Sequence, residues 1–122
     1  MQYLYKTNYL RISARKIRLI AYSFKDMQVN TALEVLTQRS EKAAKLIFKS
    51  LKSAVSSSKD KGAVEEDLKI RNIVVDEGPQ LKRRLIKPRG RADLIKKRMS
   101  HLTIVLKDKR KRKKRVDQKE KI

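Results

Sequence analysis

Between residues 82 and 98 the chain sets nine cations, Lys82, Arg83, Arg84, Lys87, Arg89, Arg91, Lys96, Lys97 and Arg98, against a single acid, Asp93. Guanidinium forks and ammonium groups at that density suit one task above others, the neutralisation and hydrogen bonding of phosphate oxygens. A second basic group, Arg11, Arg15, Lys16 and Arg18, meets no acid before Asp26. Helical charges commonly form nothing more than a solvated surface. Here the lack of balancing acids favours phosphate contact. Over the whole chain, 34 basic and 13 acidic residues in 122 leave a formal net charge of +21. Such a charge repels itself in isolation, and a bound polyanion relieves the repulsion. No apolar stretch approaches membrane-spanning length, and no region has the charged-then-apolar order of a signal peptide. The expected partner is therefore a nucleic acid and not a membrane.

Catalytic chemistry is poorly supplied. His101 is the one histidine and there is no cysteine, so disulfides and thiolate metal sites are excluded and a zinc site is not expected. Gly62, Gly78 and Gly90 are the only glycines, too few and too far apart for a phosphate-cradling loop. Glu65, Glu66 and Asp67 are adjacent, which does not place carboxylates across a cleft. Asp76 and Glu77 could hold Mg²⁺ in principle, but a strand-end turn paired with nearby cations explains them more simply. His101 reads as a strand residue placed by packing or touching RNA. No enzyme activity, metal or cofactor is expected.

The elements that must position these cations follow from periodicity. Tyr3, Tyr5, Tyr9, Leu10 and Ile12 predict a short first strand. Ser13 is a plausible N-cap for a helix starting at Ala14, with Ile17, Ile20, Ala21 and Phe24 on one face. Thr31 and Glu34 have capping-box spacing, and Val29, Ala32, Leu33 and Leu36 predict a helix of about two turns. Ser40 is the expected cap of a third helix with the apolar stripe Ala44, Ile47, Phe48, Leu51, Ala54 and Val55, ended over residues 56–62 by the serines, Asp60 and Gly62. Lys42, Lys45, Lys49 and Lys52 form a second stripe, either a solvated face or a further contact surface.

Leu68, Ile70 and residues 73–75 predict a strand with a bulge near Asn72. Leu102, Ile104 and Leu106 alternate with His101, Thr103 and Val105 in the return strand. The segment between is read as one long β-hairpin arm of little apolar content. The fold class is α+β: three helices packed on a three-stranded antiparallel sheet, with one long extended hairpin at about residues 80–100. Residues 1–107 make a single domain and residues 108–122 a basic tail, in which 109–115 are seven consecutive cations and are expected to be disordered alone.

The first two helices could imitate a helix-turn-helix, but their connector lacks glycine. The third helix offers lysine where base readout needs Arg, Asn or Gln. Folded RNA, contacted at phosphates, 2′-hydroxyls and splayed bases, suits this chain better than duplex DNA.

The ordered motifs Leu10-Arg11-Ile12-Ser13-Ala14-Arg15-Lys16-Ile17-Arg18-Leu19, Lys42-Ala43-Ala44-Lys45-Leu46, Val75-Asp76-Glu77-Gly78-Pro79, Lys82-Arg83, Gly90-Arg91-Ala92-Asp93 and Ser100-His101-Leu102-Thr103-Ile104-Val105 closely resemble the bacterial-type ribosomal protein L22 family of the large subunit. The resemblance covers about residues 5–107. It implies a globular part near the exit of the peptide tunnel and a hairpin threading between ribosomal RNA domains. It also implies a tip, Pro88, Arg89, Gly90, Arg91, Ala92 and Asp93, that lines the tunnel wall near a constriction. The partners implied are large-subunit ribosomal RNA, neighbouring ribosomal proteins and the nascent peptide. The location implied is the cytoplasm or an organelle with a bacterial-type ribosome. Three features depart from the family pattern: Ala14 stands where proline is common, the tip proline lies two places nearer the glycine, and the basic tail is longer. The expected function is a structural, RNA-binding part of the large subunit, with Arg11, Arg15, Lys16, Arg18, the nine hairpin cations and His101 on RNA. The alternative is a free architectural or regulatory nucleic-acid-binding protein.

Overall fold

Alternating tyrosines do form the first strand, β1 (Gln2–Leu10), and the computed structural model describes residues 1–109 in all. Three helices follow: α1 (Ala14–Ala21), α2 (Val29–Gln38) and α3 (Lys42–Asp60). Then come β2 (Leu68–Glu77), β3 (Leu81–Ile86), β4 (Ala92–Lys97) and β5 (Ser100–Asp108). β5 is the central strand of an antiparallel sheet ordered β1-β5-β2, and β3 and β4 pair only with each other. The α+β architecture of three helices on a three-stranded sheet with a projecting hairpin is as expected. Residues 110–122, most of the expected tail, lie outside the described residues.

The core is the layer between the helices and one sheet face. Leu102, Ile104 and Leu106 of β5 and Leu68, Ile70, Ile73 and Val75 of β2 bury there against Ile17, Phe24, Leu36, Ile47 and Leu51. The bulge expected near Asn72 is present, with register shifting between Ile70 and Asn72 and Arg71 as the extra residue. The Asn72 Oδ1 accepts the Ile73 N–H at 2.9 Å, which satisfies a donor the bulge removes from the ladder.

Four local expectations are corrected. α2 starts two residues before the expected capping-box threonine, with Gln28 at its N-cap. Gln28 is held extended by a bridge to Lys69, and the first helical bond runs from the Ala32 N–H to its carbonyl at 3.0 Å. α3 is capped by Glu41, not Ser40. Its stop falls within 56–62 as expected, but at Asp60 and Gly62 and not at the serines. Ser56 and Ser58 donate to the carbonyls of Lys52 and Ala54 at 3.1 and 2.8 Å, which lets buried Ser58 stay helical. The helix ends at Asp60, with Gly62 at φ +91° in the left-handed region that favours glycine. Finally, Phe48 is only partly buried, and the buried stripe turns toward Ala43, Ser50 and Ser58 instead.

The hairpin is two ladders in series. β2 pairs with β5 up to Glu77 and Ser100, and β3 pairs with β4 from Leu81 and Lys97 to Ile86 and Ala92. Residues 78–80 and 98–99 form a joint between them. Every residue from 79 to 98 is exposed.

Candidate nucleic-acid interface

The joint sets the direction of the hairpin, and three contacts hold it. The Gly78 N–H donates to the Met99 carbonyl at 2.8 Å. Arg18 reaches from α1 to the end of β2, where Nε and Nη2 donate to the Val75 carbonyl at 3.3 and 2.8 Å. Tyr9, bulged out of β1 at φ +60°, donates its N–H to the His101 Nδ1 at 3.1 Å and sets its ring edge-on to the imidazole at 5.0 Å. With Nδ1 accepting, the neutral ring carries its proton on Nε2. Arg18 and His101, both expected on RNA, thus also brace the root of the arm.

A side chain at position 78 is tightly confined. A Cβ there would sit 3.2 Å from the Met99 carbonyl carbon and oxygen and 3.3 Å from the His101 Cε1. Two of those atoms are backbone, so the joint itself must move. Gly78→Ala is expected to cost about 1–3 kcal/mol, the usual range for overpacking, read as a drop in the urea midpoint with the slope unchanged.

Beside the joint lies a cleft of about 1120 Å³. One wall comes from the start of α1 and α3 and supplies Arg11, Lys16, Arg39 and Lys42. The other comes from the hairpin root and supplies Arg83, Lys96, Lys97 and Arg98. Glu41 is the one acid among the lining residues, and it sits 3.7 Å from Arg39 in an exposed ion pair. Ile12, Leu19, Ile20, Leu81 and Met99 add apolar surface to the lining. The Lys42 ammonium donates to the Arg11 carbonyl at 3.0 Å, which ties the two helix starts together. Arg39 lies over the Phe24 ring, 5.9 Å from its centroid, a cation–π seat that orients it.

Of the residues expected on RNA, Arg11, Lys16, Arg83, Lys96, Lys97 and Arg98 meet in this cleft. Arg15 lies around the joint with Arg98, Glu77 and Gln80. Lys82 and Arg84 are exposed on the hairpin outside the cleft. Arg39 joins them with no signal in residue order, and Lys42 comes from the lysine stripe of α3. The other stripe lysines, Lys45, Lys49 and Lys52, are exposed away from the cleft.

The hairpin differs from expectation in one respect. It carries Leu81, Leu85, Ile86, Leu94 and Ile95, all exposed, and Ile86 is 86% exposed. The register puts Leu81, Arg83 and Leu85 on one face with Lys97, Ile95 and Asp93. Lys82, Arg84 and Ile86 share the other with Lys96, Leu94 and Ala92. Both faces therefore mix cations with aliphatic surface. At the tip the Lys87 N–H donates to the Arg91 carbonyl at 2.7 Å, and the Lys87 ammonium pairs with Asp93 at 2.6 Å. Arg89 and Gly90 turn the chain with φ of +65° and +72°. Arg89 and Arg91 have no ion pair among the described residues.

Among the described residues no group of His, Asp and Glu is placed to hold a metal, and no helix is long and apolar enough to cross a membrane. A family model, that of ribosomal protein L22p/L17e, matches residues 5–107, which takes in most of the sheet, all three helices, the joint and the entire hairpin. With the fold, the paired basic walls and that match in agreement, the chain belongs to the ribosomal protein L22p/L17e family and is a structural component of the large ribosomal subunit.

Proposed function

We propose that this protein binds large-subunit ribosomal RNA through the cleft and both faces of the hairpin, aids assembly of the subunit, and lines the nascent-peptide tunnel with its hairpin tip. The observation that carries the reading is the cleft, where eight cations from two walls face each other with one acid between them. The cations would neutralise phosphates from RNA segments far apart in sequence. Arg18, Gly78 and His101 fix the angle at which the arm leaves the domain. Residues 1–107 act as one domain in this scheme, the tail adds charge, and neighbouring large-subunit proteins complete the surroundings.

The tip reading combines family membership with the turn geometry. Lys87 is engaged by Asp93, so Arg89 and Arg91 are the tip cations free to act. Either both pin the tip to RNA or at least one faces the tunnel lumen and meets nascent chains. The ribosome concerned is bacterial in type, in a cytoplasm or an organelle.

Co-sedimentation tests the first part: the protein is expected to travel with the large subunit and to leave it at high salt. A protein found only outside ribosomes would instead support a free regulatory role. Subunits with an insertion at 88–93, or lacking 82–84, test the second. They are expected to assemble and to show altered translational stalling and altered sensitivity to drugs that lodge in the tunnel. Normal values for both would reduce the tip to an RNA staple.

A further inference from the structure

A second basic site lies at the end of the sheet away from the hairpin. Lys69, Arg71, Lys107 and Lys109 line a depression of about 300 Å³ together with Asp26. The register sets Lys69 directly opposite Lys107, and the same row continues to Gln2 of β1, which brings no carboxylate. Like charges directly opposed on one sheet face destabilise a strand pair. The bulge compounds this. It inserts Arg71 beside the lysine pair and leaves both Arg71 and Asn72 exposed on the same stretch of β2. Asp26 offsets only part of the four cations gathered at this sheet end, whereas a bound anion turns the remaining repulsion into attraction.

Asp26 narrows the chemistry. It is held at φ +61°, with its N–H donating to the Ile70 carbonyl at 2.8 Å at the edge of β2. It forms no ion pair among the described residues. A carboxylate fixed among four cations accepts hydrogen bonds, so the ligand brings a donor as well as negative charge. A ribonucleotide strand brings both, on its phosphates and its 2′-hydroxyls. An acidic peptide's carboxylates and a deoxyribonucleotide strand's phosphates bring negative charge without a neighbouring hydroxyl donor.

We propose that this depression is a second RNA-backbone site, with phosphodiester oxygens on Lys69, Arg71, Lys107 and Lys109 and a ribose 2′-hydroxyl donated to Asp26. It rests on the reading of the protein as an RNA binder. β2 runs for its length between this depression and the joint, so the two sites stand roughly 25 Å apart at about 3.3 Å per residue. That spacing lets the rigid sheet hold two RNA segments at once.

The test uses the full chain, large-subunit ribosomal RNA, and matched uridine oligomers with ribose or deoxyribose. Lys69→Gln with Arg71→Gln and Lys107→Gln is expected to lower the slope of log affinity against log salt by roughly 2, at about 0.7 per single-strand contact. Asp26→Asn keeps a residue type that tolerates positive φ and is expected to cut the preference for the ribose oligomer at least threefold. Lys107→Gln alone is expected to raise the melting temperature of the free protein at low salt, as the opposed pair is relieved. An unchanged slope in the triple variant, with the slope still lowered by changes in the cleft, overturns the second site and leaves the RNA reading intact. RNA binding lowered by neither set of substitutions, or no binding by wild type, overturns the reading itself. Protection of Lys69 and Lys107 from amine acylation by an oligoglutamate peptide but not by the ribose oligomer assigns the site to an acidic protein segment and also overturns it.

Discussion

With glutamine at Arg11, Lys16, Arg39 and Lys42, binding to large-subunit ribosomal RNA is expected to weaken roughly 10²–10³-fold at 0.1 M salt. The slope of log affinity against log salt should fall by about 3, since each single-strand phosphate contact contributes about 0.7. These four side chains form the helical wall of the cleft. All four are exposed, so the substitutions remove charge and leave the core intact. The matching change on the hairpin wall, Arg83, Lys96, Lys97 and Arg98 to glutamine, is expected to have an effect of similar size. The equality is the informative part. An RNA strand lying between the walls depends on both. A strand that follows only the outer hairpin would lose affinity with the second set and ignore the first. Binding isotherms at several salt concentrations separate the outcomes, and unfolding curves of both variants confirm that each is folded.

Much of this architecture is legible from residue order, and the exceptions have physical causes. Period 3.6 in Ile17, Ile20 and Ala21, and period 2 in Leu102, Ile104 and Leu106, mark buried faces because burial is what those patterns record. The bulge at Asn72 shows as a break in alternation. Helix ends are harder. Ser40 and Thr31 look like caps, yet a tertiary bridge from Gln28 to Lys69 decides where α2 begins. Ser56 and Ser58 look like a stop, but a hydroxyl can bond the carbonyl four residues back, and that choice is invisible in composition.

The cleft illustrates the larger gap. Its hairpin cations announce themselves as a run, while Arg39 stands alone between helices and gains its role from topology. Only folding carries it beside Arg11, and only the Phe24 ring gives it a seat. Arg18 shows the converse. It sits in a basic cluster that reads as phosphate-binding, yet its guanidinium already serves the Val75 carbonyl. The aliphatics at 81, 85, 86, 94 and 95 stand in plain view in the sequence, but strand alternation there is masked by the surrounding charges.

Phe24→Ala is expected to remove about 3–5 kcal/mol of stability, the range for truncating a fully buried phenylalanine. The ring is 1% exposed and closes the turn after α1, where it meets the core beneath α2. Against a typical domain stability of about 5–15 kcal/mol, that loss leaves a protein that is folded only marginally. Phe48→Ala is expected to cost less, because Phe48 lies at the margin of the core. Deleting residues 88–93 and closing the turn is expected to cost least of the three, since the whole outer hairpin is exposed and shares no buried side chain with the domain. Urea unfolding measures all three, in enough salt to screen the net charge of +21. The Phe24 variant carries a second expectation. Without the ring, Arg39 loses its seat at the cleft, so RNA affinity should fall even where the domain remains folded. Loss of stability with full affinity would show that Arg39 is positioned by Glu41 alone. If the tip deletion unfolds the domain as Phe24→Ala does, the hairpin supports the core through its joint, and the separation between a folded platform and an RNA-dependent arm fails.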